Sequence, residues 1–230
     1  MSTPDGVRHH GAHRSLLSGR RGFKGFFITF EGPEGSGKSS QSRWLARKLR
    51  RAGCSVVQVR DPGSTSLGRA LRRMLLHSSN ELLALTEALL FIGGRVQLVD
   101  ERVAPALKRG QVVICDRFHD ATVAYQGFGG ALDVAWLDRF GRRAIRGIMP
   151  TLTVLLDLPP EVGFSRLSRA RDRIERKADR FHDRVRRGYL QLAKREPHRF
   201  VVIDASKPRD DVRQQIEAAV MKRLQRLGHR

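Results

Sequence analysis

A glycine-rich stretch that ends in lysine and serine has the spacing of a phosphate-binding loop. Residues 32–39 read GPEGSGKS and satisfy the pattern G-x-x-x-x-G-K-[ST], between an apolar run and a helical pattern. Glycines let consecutive backbone N–H groups turn toward an anion, at the positive end of the following helix. The lysine can reach the β- and γ-phosphates, and the serine hydroxyl can hold Mg²⁺. The sequence therefore predicts a nucleoside triphosphate site made of Gly32, Pro33, Glu34, Gly35, Ser36, Gly37, Lys38, Ser39 and Ser40.

Asp116 and Arg117 form a second group suited to chemistry, because they directly follow the apolar run QVVIC. Open α/β sheets bind ligands at the carboxyl ends of their strands, where these two side chains are expected. Asp116 is suited to hold Mg²⁺ or its waters, as Ser39 is. The guanidinium group of Arg117 is suited to a second phosphate. The alternative interpretation of the pair is an ion pair on the surface.

Apolar runs along the chain predict the scaffold that holds these residues. Nearly continuous runs, typical of parallel strands buried on both faces, occur at 26–30, 55–59, 111–115, 152–158 and 199–204. Helical patterns alternate with them at about 37–52, 65–77, 80–108, 131–146, 160–195 and 208–227. The alternation predicts the α/β class, with a parallel sheet inside a three-layer α/β/α sandwich, and leaves the strand order open.

Composition bears on size, compartment and charge. A chain of 230 residues can bury one substantial core, and we expect a single domain at 25–230 after a flexible basic tail at 1–24. No apolar run approaches the ~20 residues that a membrane span needs, so no membrane partner is expected. Two isolated cysteines favour a reducing cytoplasm. The net charge of +21 predicts weak, non-specific polyanion binding, or else reflects the solvated surface of an arginine-rich chain.

Seven short motifs follow one another along the chain from about residue 26 to the C-terminus. They are FEGPEGSGKSSQ (30–41), RDPGST (60–65), FIGGRVQL (91–98), DRFHDATVAYQG (116–127), DLPPEVG (157–163), DRIE (172–175) and VIDAS (202–206). Together they resemble the motifs of bacterial thymidylate kinases, which make dTDP from dTMP and ATP. The resemblance implies a P-loop nucleoside monophosphate kinase fold with a five-stranded parallel sheet and a mobile lid at about 165–178. It also implies a role in dTTP synthesis for DNA replication, Mg²⁺ as cofactor, ATP and dTMP as substrates, and a homodimer.

The resemblance further implies a binding site for dTMP. It implies that Arg72 and Arg117 bind the acceptor phosphate. It also implies that Phe91 stacks on thymine, and such stacking contributes ~1–3 kcal/mol per base. Arg95, four residues on and so on the same helix face, donates to thymine O4 and disfavours the amino group of cytosine. Tyr125 crowds C2′ and favours deoxyribose. The full set implied for dTMP is Glu34, Asp61, Arg72, Phe91, Arg95, Arg117, Thr122, Tyr125 and Gln126.

The chemistry implied by the resemblance depends on cations and needs no general base. A phosphate monoester has a second pKa of about 6, so the acceptor is mostly dianionic at neutral pH. The obstacle is to bring this dianion against the triphosphate, which requires positive charge and positioning. The phosphate loop lacks arginine and the run at 168–177 is rich in it, so the chain resembles the enzymes with lid arginines. The catalytic set implied is Lys38, Asp116 and Arg117, with a contribution from Arg169, Arg171 or Arg173.

Several positions depart from the family pattern. Ser64 stands where glycine is usual and is expected to stiffen a turn, and Ala121 replaces a serine. Gly93 and Gly94 are expected to loosen the helix that carries Phe91, by ~1 kcal/mol each relative to alanine.

Two other functions stay open. A deoxynucleoside kinase of related fold would phosphorylate a sugar hydroxyl and would need a carboxylate base near it. A polyanion-binding protein that keeps the phosphate loop without turnover would account for the positive charge.

Overall fold

The protein contains one parallel sheet within residues 25–77 and 81–228, which the structure, a computed structural model, describes. Its strands are β1 (Phe26–Glu31), β2 (Val56–Arg60), β3 (Val112–Asp116), β4 (Leu152–Asp157) and β5 (Phe200–Asp204). They pair in the order β2-β3-β1-β4-β5, which places β1 at the centre. The predicted five-stranded parallel sheet is confirmed. The basic tail predicted at 1–24 lies outside the described residues.

The central strand shows why both faces of the sheet are covered. Side chains alternate across a strand, so Phe26, Ile28 and Phe30 face one layer and Phe27 faces the other. The first three belong to a cluster with residues of the first and last helices, such as Leu45 and Ile216. Phe27 belongs to a separate cluster that includes Leu98 and Val103. These two clusters form the predicted three-layer sandwich.

The described helices surround the sheet and agree with five of the six predicted helical segments. They are α1 (Lys38–Arg51), α2 (Ser66–His77), α3 (Ala84–Leu98), α4 (Ala104–Lys108), α5 (His119–Thr122), α6 (Val134–Ala144), α7 (Pro160–Ser165), α8 (Asp179–Arg195) and α9 (Arg209–Gly228). A π-helical turn at Val99–Val103 joins α3 to α4, and another at Val123–Gly129 extends α5. Among the described residues, no helix combines the length and the apolar character that crossing a bilayer requires.

The predicted helix at 160–195 is wrong in its middle part. Helix α7 ends at Ser165 and α8 begins at Asp179, and we call residues 166–178 between them the lid segment. Two carboxylates there bind local backbone: Glu175 accepts from Asp172 N at 2.9 Å, and Asp172 accepts from Glu175 N at 3.0 Å. Such local bonds compete with the helical ladder, which is why an arginine-rich, helix-favouring sequence does not continue the helix.

The carboxyl edge of the sheet collects the ends of several elements. Phe30 of β1 pairs with Asp116 of β3, and Arg60 of β2 pairs with the same residue from the other side. The phosphate loop leaves β1 between β3 and β4. Its glycine at position 35 has φ +66°, and a Cβ there would overlap the carbonyl oxygen of Gly163 in α7. Close packing of the loop against α7 therefore requires glycine.

Candidate active site

A cavity of about 500 Å³ opens at the carboxyl edge of the sheet. Its walls come from the phosphate loop, the ends of β2 and β3, helices α2 and α3, the segment after α5 and the lid segment. The predicted residues that line it are Glu34, Gly35, Gly37, Lys38, Ser39, Ser40, Asp61, Arg72, Phe91, Arg95, Asp116, Arg117, Thr122, Tyr125, Gln126 and Arg169. Gly32, Pro33 and Ser36 belong to the same loop but are not part of the cavity wall.

The side chain of Lys38 is hydrogen-bonded to other residues of the phosphate loop. Its Nζ donates to the carbonyl oxygen of Pro33 at 2.5 Å and to Ser36 Oγ at 3.1 Å. Burial and the nearby Arg117 lower the pKa of Lys38 to about 7, although the carboxylates of Glu34 and Asp116 oppose this shift. Anionic phosphates beside this ammonium group would favour its charged form.

The hydroxyl oxygen of Ser39 and a carboxylate oxygen of Asp116 lie close together. Ser39 Oγ donates to Asp116 Oδ2 at 2.5 Å. Burial tends to raise the pKa of Asp116, but Arg60, the Ser39 hydroxyl and Lys38 together lower it, so the carboxylate stays ionised. The described residues hold no cluster of three or more His, Cys, Asp or Glu side chains placed to bind a metal. The hydroxyl and carboxylate oxygens of Ser39 and Asp116 are hard ligands of the kind that Mg²⁺ takes in proteins.

Arg60 lines the cavity although the sequence analysis did not select it. Its Nη2 lies 2.9 Å from Asp116 Oδ2 and 2.7 Å from Ser39 Oγ. The signal was present, because Arg60 is the last residue of β2 and the rule that placed Asp116 at a strand end applies to it equally.

Arg72 and Arg117 face the cavity from two different elements. Arg72 is half-buried on α2 with Nη1 3.4 Å from the carbonyl oxygen of Pro62, whereas the adjacent Arg73 is exposed and does not line the cavity. Burial lowers the pKa of Arg72, and Arg60 and Arg117 lower it further. Such mutual repulsion between cations marks a place where an anion binds favourably.

Arg117 is fixed by its backbone and by three side chains. Its φ of 66° is unusual for a residue with a side chain, and its N–H donates to Phe30 O at 3.0 Å. The guanidinium group lies 3.3 Å from Glu34 Oε1, 3.2 Å from the Tyr189 hydroxyl and 4.9 Å from the ring centroid of Tyr125. Tyr125 also donates to Glu34 Oε1.

Glu34 is a buried carboxylate that remains charged. Burial tends to raise its pKa, but the neighbouring His182, Arg117 and Lys38 lower it to about 2. The predicted carboxylate within the phosphate loop is therefore an anion that orients cations, since it stays deprotonated near neutral pH.

Arg95 is a buried arginine of the cavity wall. Its Nε donates to Asp61 Oδ2 at 2.5 Å and its Nη2 to Thr122 Oγ1 at 2.7 Å. Its Nη1 is buried and has no hydrogen-bond partner among the residues that the structure describes. Phe91, one turn earlier on α3, is half-buried and also lines the cavity. A fixed donor and an aromatic ring therefore lie near each other, as recognition of a base requires.

The three predicted lid arginines are separated. Arg169 lines the cavity and makes a paired contact with Glu175, with Nη1 2.8 Å from Oε2 and Nη2 2.6 Å from Oε1. Arg171 packs over the ring of Phe164 at 4.1 Å, and Arg173 binds Glu87 and the carbonyl oxygen of Leu75; neither lines the cavity. In this arrangement Arg169 alone of the three faces the cavity.

The lid segment adds a second cavity arginine that the sequence analysis did not select. Arg166 lines the cavity and donates to Ala205 O at 2.8 Å. It lies within the lid predicted at about 165–178, which is the signal by which it could have been found.

Two of the departures from the family pattern have structural partners. Ser64 Oγ accepts from the Arg60 backbone N–H at 2.7 Å and so holds the turn after β2. A Cβ at Gly94 would lie 3.0 Å from Leu71 Cδ1, so this glycine lets α2 pack closely on α3. Ala121 lines the cavity.

Comparisons with known proteins agree on one family. The family model described as thymidylate kinase matches residues 30–216. A thymidylate kinase from Deinococcus radiodurans is 46% identical over 202 residues, covering 87% of this chain and 98% of the relative. One from Alcanivorax borkumensis is 47% identical over 199 residues, covering 85% and 96%. The solved structure of thymidylate kinase from Ehrlichia chaffeensis has a TM-score of 0.70 at 33% identity and covers 85% of this chain and 98% of that chain. The chain described here belongs to the thymidylate kinase family.

Proposed function

We propose that the protein phosphorylates dTMP to dTDP inside the cavity at the carboxyl edge of the sheet. One observation carries the proposal: Lys38, Arg72 and Arg117 come from three separated segments and line a single cavity. A nucleoside triphosphate and a nucleoside monophosphate can be held end to end only where cations serve both sets of phosphates. The alternatives, a deoxynucleoside kinase or a polyanion-binding protein, are not favoured because the chain belongs to the family.

The reaction joins two anions and needs no proton acceptor on the protein. An oxygen of the dTMP phosphate attacks the γ-phosphorus of ATP, the bond to the β–γ bridging oxygen breaks, and ADP leaves. Lys38 and the loop N–H groups bind the donor phosphates, while Arg72 and Arg117 bind the acceptor phosphate. Arg169 of the lid segment would stabilise the charge on the transferred group. A transition-state arginine contributes about 10³–10⁵ in rate.

Mg²⁺ is the proposed cofactor, with Ser39 and Asp116 as the residues that would hold it. Their hydroxyl and carboxylate oxygens are the hard donors that this ion prefers. When bound, the ion would supply positive charge against the β- and γ-phosphates. The contacts of Arg60 with the same two oxygens support the assignment, because a guanidinium cation already binds to both of them.

The thymine base would occupy the end of the cavity near Phe91 and Arg95. Phe91 would stack on the ring, and Arg95 would present its buried Nη1 to O4. Thr122 and Asp61 would act mainly through Arg95, since both are bonded to it. Gln126 would contact the base, and Tyr125, held by Glu34, would crowd C2′ of the sugar.

A homodimer is the proposed assembly. Helices α2, α3 and α6 pack together and expose large apolar side chains: Leu67, Met74, Leu85, Leu89, Trp136 and Phe140. Trp136 and Phe140 stack with 5.2 Å between ring centroids. A second copy of the chain that covered this face would bury these side chains.

We further propose a cytoplasmic protein with one domain at 25–230, a lid that moves and a basic tail that adds weak polyanion binding. The two free cysteines and the charge of +21 motivate the compartment and the polyanion binding. Recovery of the protein in a salt-washed membrane fraction of fractionated cells would contradict the proposed compartment.

The decisive experiment is a coupled assay of ADP release with a panel of acceptors in the presence of Mg²⁺. The panel comprises dTMP, dUMP, dCMP, UMP, dGMP and thymidine, and dTMP should give the highest kcat/KM. Phosphorylation of thymidine without phosphorylation of dTMP would instead establish a deoxynucleoside kinase. Retention of DNA at moderate salt without any ADP release would establish a polyanion-binding protein.

A further inference from the structure

Glu87 is a buried carboxylate outside the cavity wall that gathers partners from two different parts of the molecule. It lies in the first turn of α3 and is 1% exposed. Its Oε1 accepts from Gln126 Nε2 at 2.8 Å and lies 3.3 Å from Lys177 Nζ. Its Oε2 accepts from Arg173 Nη2. Gln126 belongs to the cavity, whereas Arg173 and Lys177 belong to the lid segment.

The position of Glu87 on α3 relates it to the base site. Residues four apart lie on one helix face, so Glu87, Phe91 and Arg95 form a single line along α3. The last two line the cavity where the base is proposed to bind, and Gln126 lines it from the facing segment. The carboxylate is therefore linked to the proposed dTMP site in two ways. One is helix α3, which also carries Phe91 and Arg95, and the other is the hydrogen bond to Gln126.

Arg173 attaches the lid segment to the same half of the molecule. Its N–H donates to Leu76 O at 3.0 Å and its Nε to Leu75 O at 2.8 Å, at the C-terminal end of α2. Arg72, proposed to bind the acceptor phosphate, lies on that helix. The side chain of Arg173 is 12% exposed. The lid segment is thus held by the elements that would bind dTMP, and its Arg169 lines the same cavity.

The contacts of Arg173 and Lys177 with Glu87 depend on the negative charge of this carboxylate. Burial tends to raise the pKa of Glu87, but Lys177 and the hydrogen bonds from Gln126 and Arg173 lower it, so it is ionised near neutral pH. A buried charge that loses one partner is strongly penalised, because the remaining charge is left uncompensated. Any displacement of Gln126 or of the lid segment therefore affects the other through this carboxylate.

We propose that Glu87 is a positioning residue that couples occupation of the dTMP site to ordering of the lid segment. The inference rests on the proposed function. Bound thymine would hold Gln126 and Phe91 in place and so fix the carboxylate between them. Arg173 and Lys177 would then dock on a preformed partner at a lower entropic cost. By reciprocity, an ordered lid segment would strengthen dTMP binding by the same factor, and such couplings are typically about 5–150-fold.

The test compares wild type with Glu87→Gln in the full chain, using hydrogen–deuterium exchange of peptides from the lid segment with and without dTMP. Glutamine keeps the shape and an oxygen that accepts from Gln126, but it removes the charge that binds Arg173 and Lys177. In wild type, dTMP should slow exchange in the lid segment. In Glu87→Gln this protection should be lost and the KM for dTMP should rise about tenfold, with a smaller change in the KM for ATP. The matched control is Arg176→Gln, an exposed lid cation that does not contact Glu87.

Two further variants keep the test decisive if Glu87→Gln does not fold. Arg173→Gln and Lys177→Gln each remove a partly exposed cation that contacts Glu87. Both variants should reduce the protection in the same way. Wild-type protein that makes dTDP but shows no dTMP-dependent protection would overturn the coupling alone. So would a folded Glu87→Gln protein with wild-type protection and KM. Wild-type protein that makes no dTDP would instead overturn the proposed function, and the inference with it.

Discussion

The guanidinium group of Arg60 lies against the carboxylate of Asp116, with Nε and Nη2 at 3.1 and 2.9 Å from Oδ2. The same Nη2 donates to Ser39 Oγ at 2.7 Å. Both oxygens proposed to hold Mg²⁺ are therefore bonded to a cation of the protein. An ion held by these two oxygens would meet the positive charge of Arg60, so we expect the arginine and the ion to compete.

Replacement of Arg60 by glutamine should strengthen metal binding to the nucleotide-free protein. The side chain of Arg60 is partly exposed, and exposed ion pairs contribute ~0–1 kcal/mol, so we expect a gain of about two- to fivefold. Mn²⁺ binding followed by electron paramagnetic resonance measures it. Arg69→Gln, which removes an exposed arginine of α2, is the control and should leave the affinity unchanged. Weaker Mn²⁺ binding in Arg60→Gln would show that Arg60 supports the metal site.

Arg72 and Arg73 should differ sharply although they are adjacent. Arg72 lines the cavity and Arg73 is exposed, so Arg72→Ala should raise the KM for dTMP by about 10–100-fold. This range corresponds to the loss of a hydrogen bond between charged groups, ~1.5–3 kcal/mol. Arg73→Ala should change it less than about twofold. Steady-state kinetics with varied dTMP decide, and the reverse order would place the phosphate site one residue later.

The sequence predicted the scaffold well because buried parallel strands are continuous apolar runs. The phosphate loop was predicted from its motif, and the position of Asp116 was predicted from its place at the end of a strand. The helical segment at 119–129 was not predicted, since threonine, valine, tyrosine and three glycines within 121–130 favour helix poorly. It forms because Val123, Ala124 and Tyr125 pack in the core, which is a tertiary effect.

Side-chain pairing inside the lid segment was beyond sequence analysis. Arg169 and Arg173 are both arginines in one basic run, yet one lines the cavity and the other binds Glu87, eighty-six residues away along the chain. Only the fold brings α3 against the lid segment. Such distant partners leave no local pattern in a single sequence.

Replacement of Arg95 should relax the choice of base. Its buried Nη1 would donate to thymine O4 in the proposed site, whereas cytosine presents an amino donor there. Arg95→Ala should lower the ratio of kcat/KM for dTMP to that for dCMP by about 10–100-fold, within the ~1–3 kcal/mol of a good base contact. Arg95→Lys keeps a cation beside Asp61 and guards against loss of folding, and Arg102→Ala is the exposed control. An unchanged ratio in a folded variant would place the base elsewhere.

A charge on the apolar face should separate the proposed dimer. Trp136 and Phe140 are each 39% exposed and stacked on α6, so Trp136→Glu would put a carboxylate in the interface. We expect sedimentation velocity at micromolar concentration to show a dimer for wild type and a monomer for this variant. Val202→Glu, on the edge strand β5, is the control and should stay dimeric. A wild-type monomer, or a variant dimer, would contradict the proposed interface.

Protonation of Glu34 at acid pH should lower the free energy of unfolding. Its pKa is lowered from 4.5 to about 2, so the folded state favours the charged form. The contribution is present above pH 4.5 and is lost as the pH falls through 2, because the unfolded chain binds the proton first. A shift of this size corresponds to about 3 kcal/mol. In urea titrations, Glu34→Gln should be less stable than wild type by up to this amount at pH 6, and the gap should shrink at pH 3. The control is Glu161→Gln, which replaces an exposed carboxylate of α7 in the same way. A gap for Glu34→Gln that does not change with pH would mean that Glu34 contributes through its shape and not through its charge.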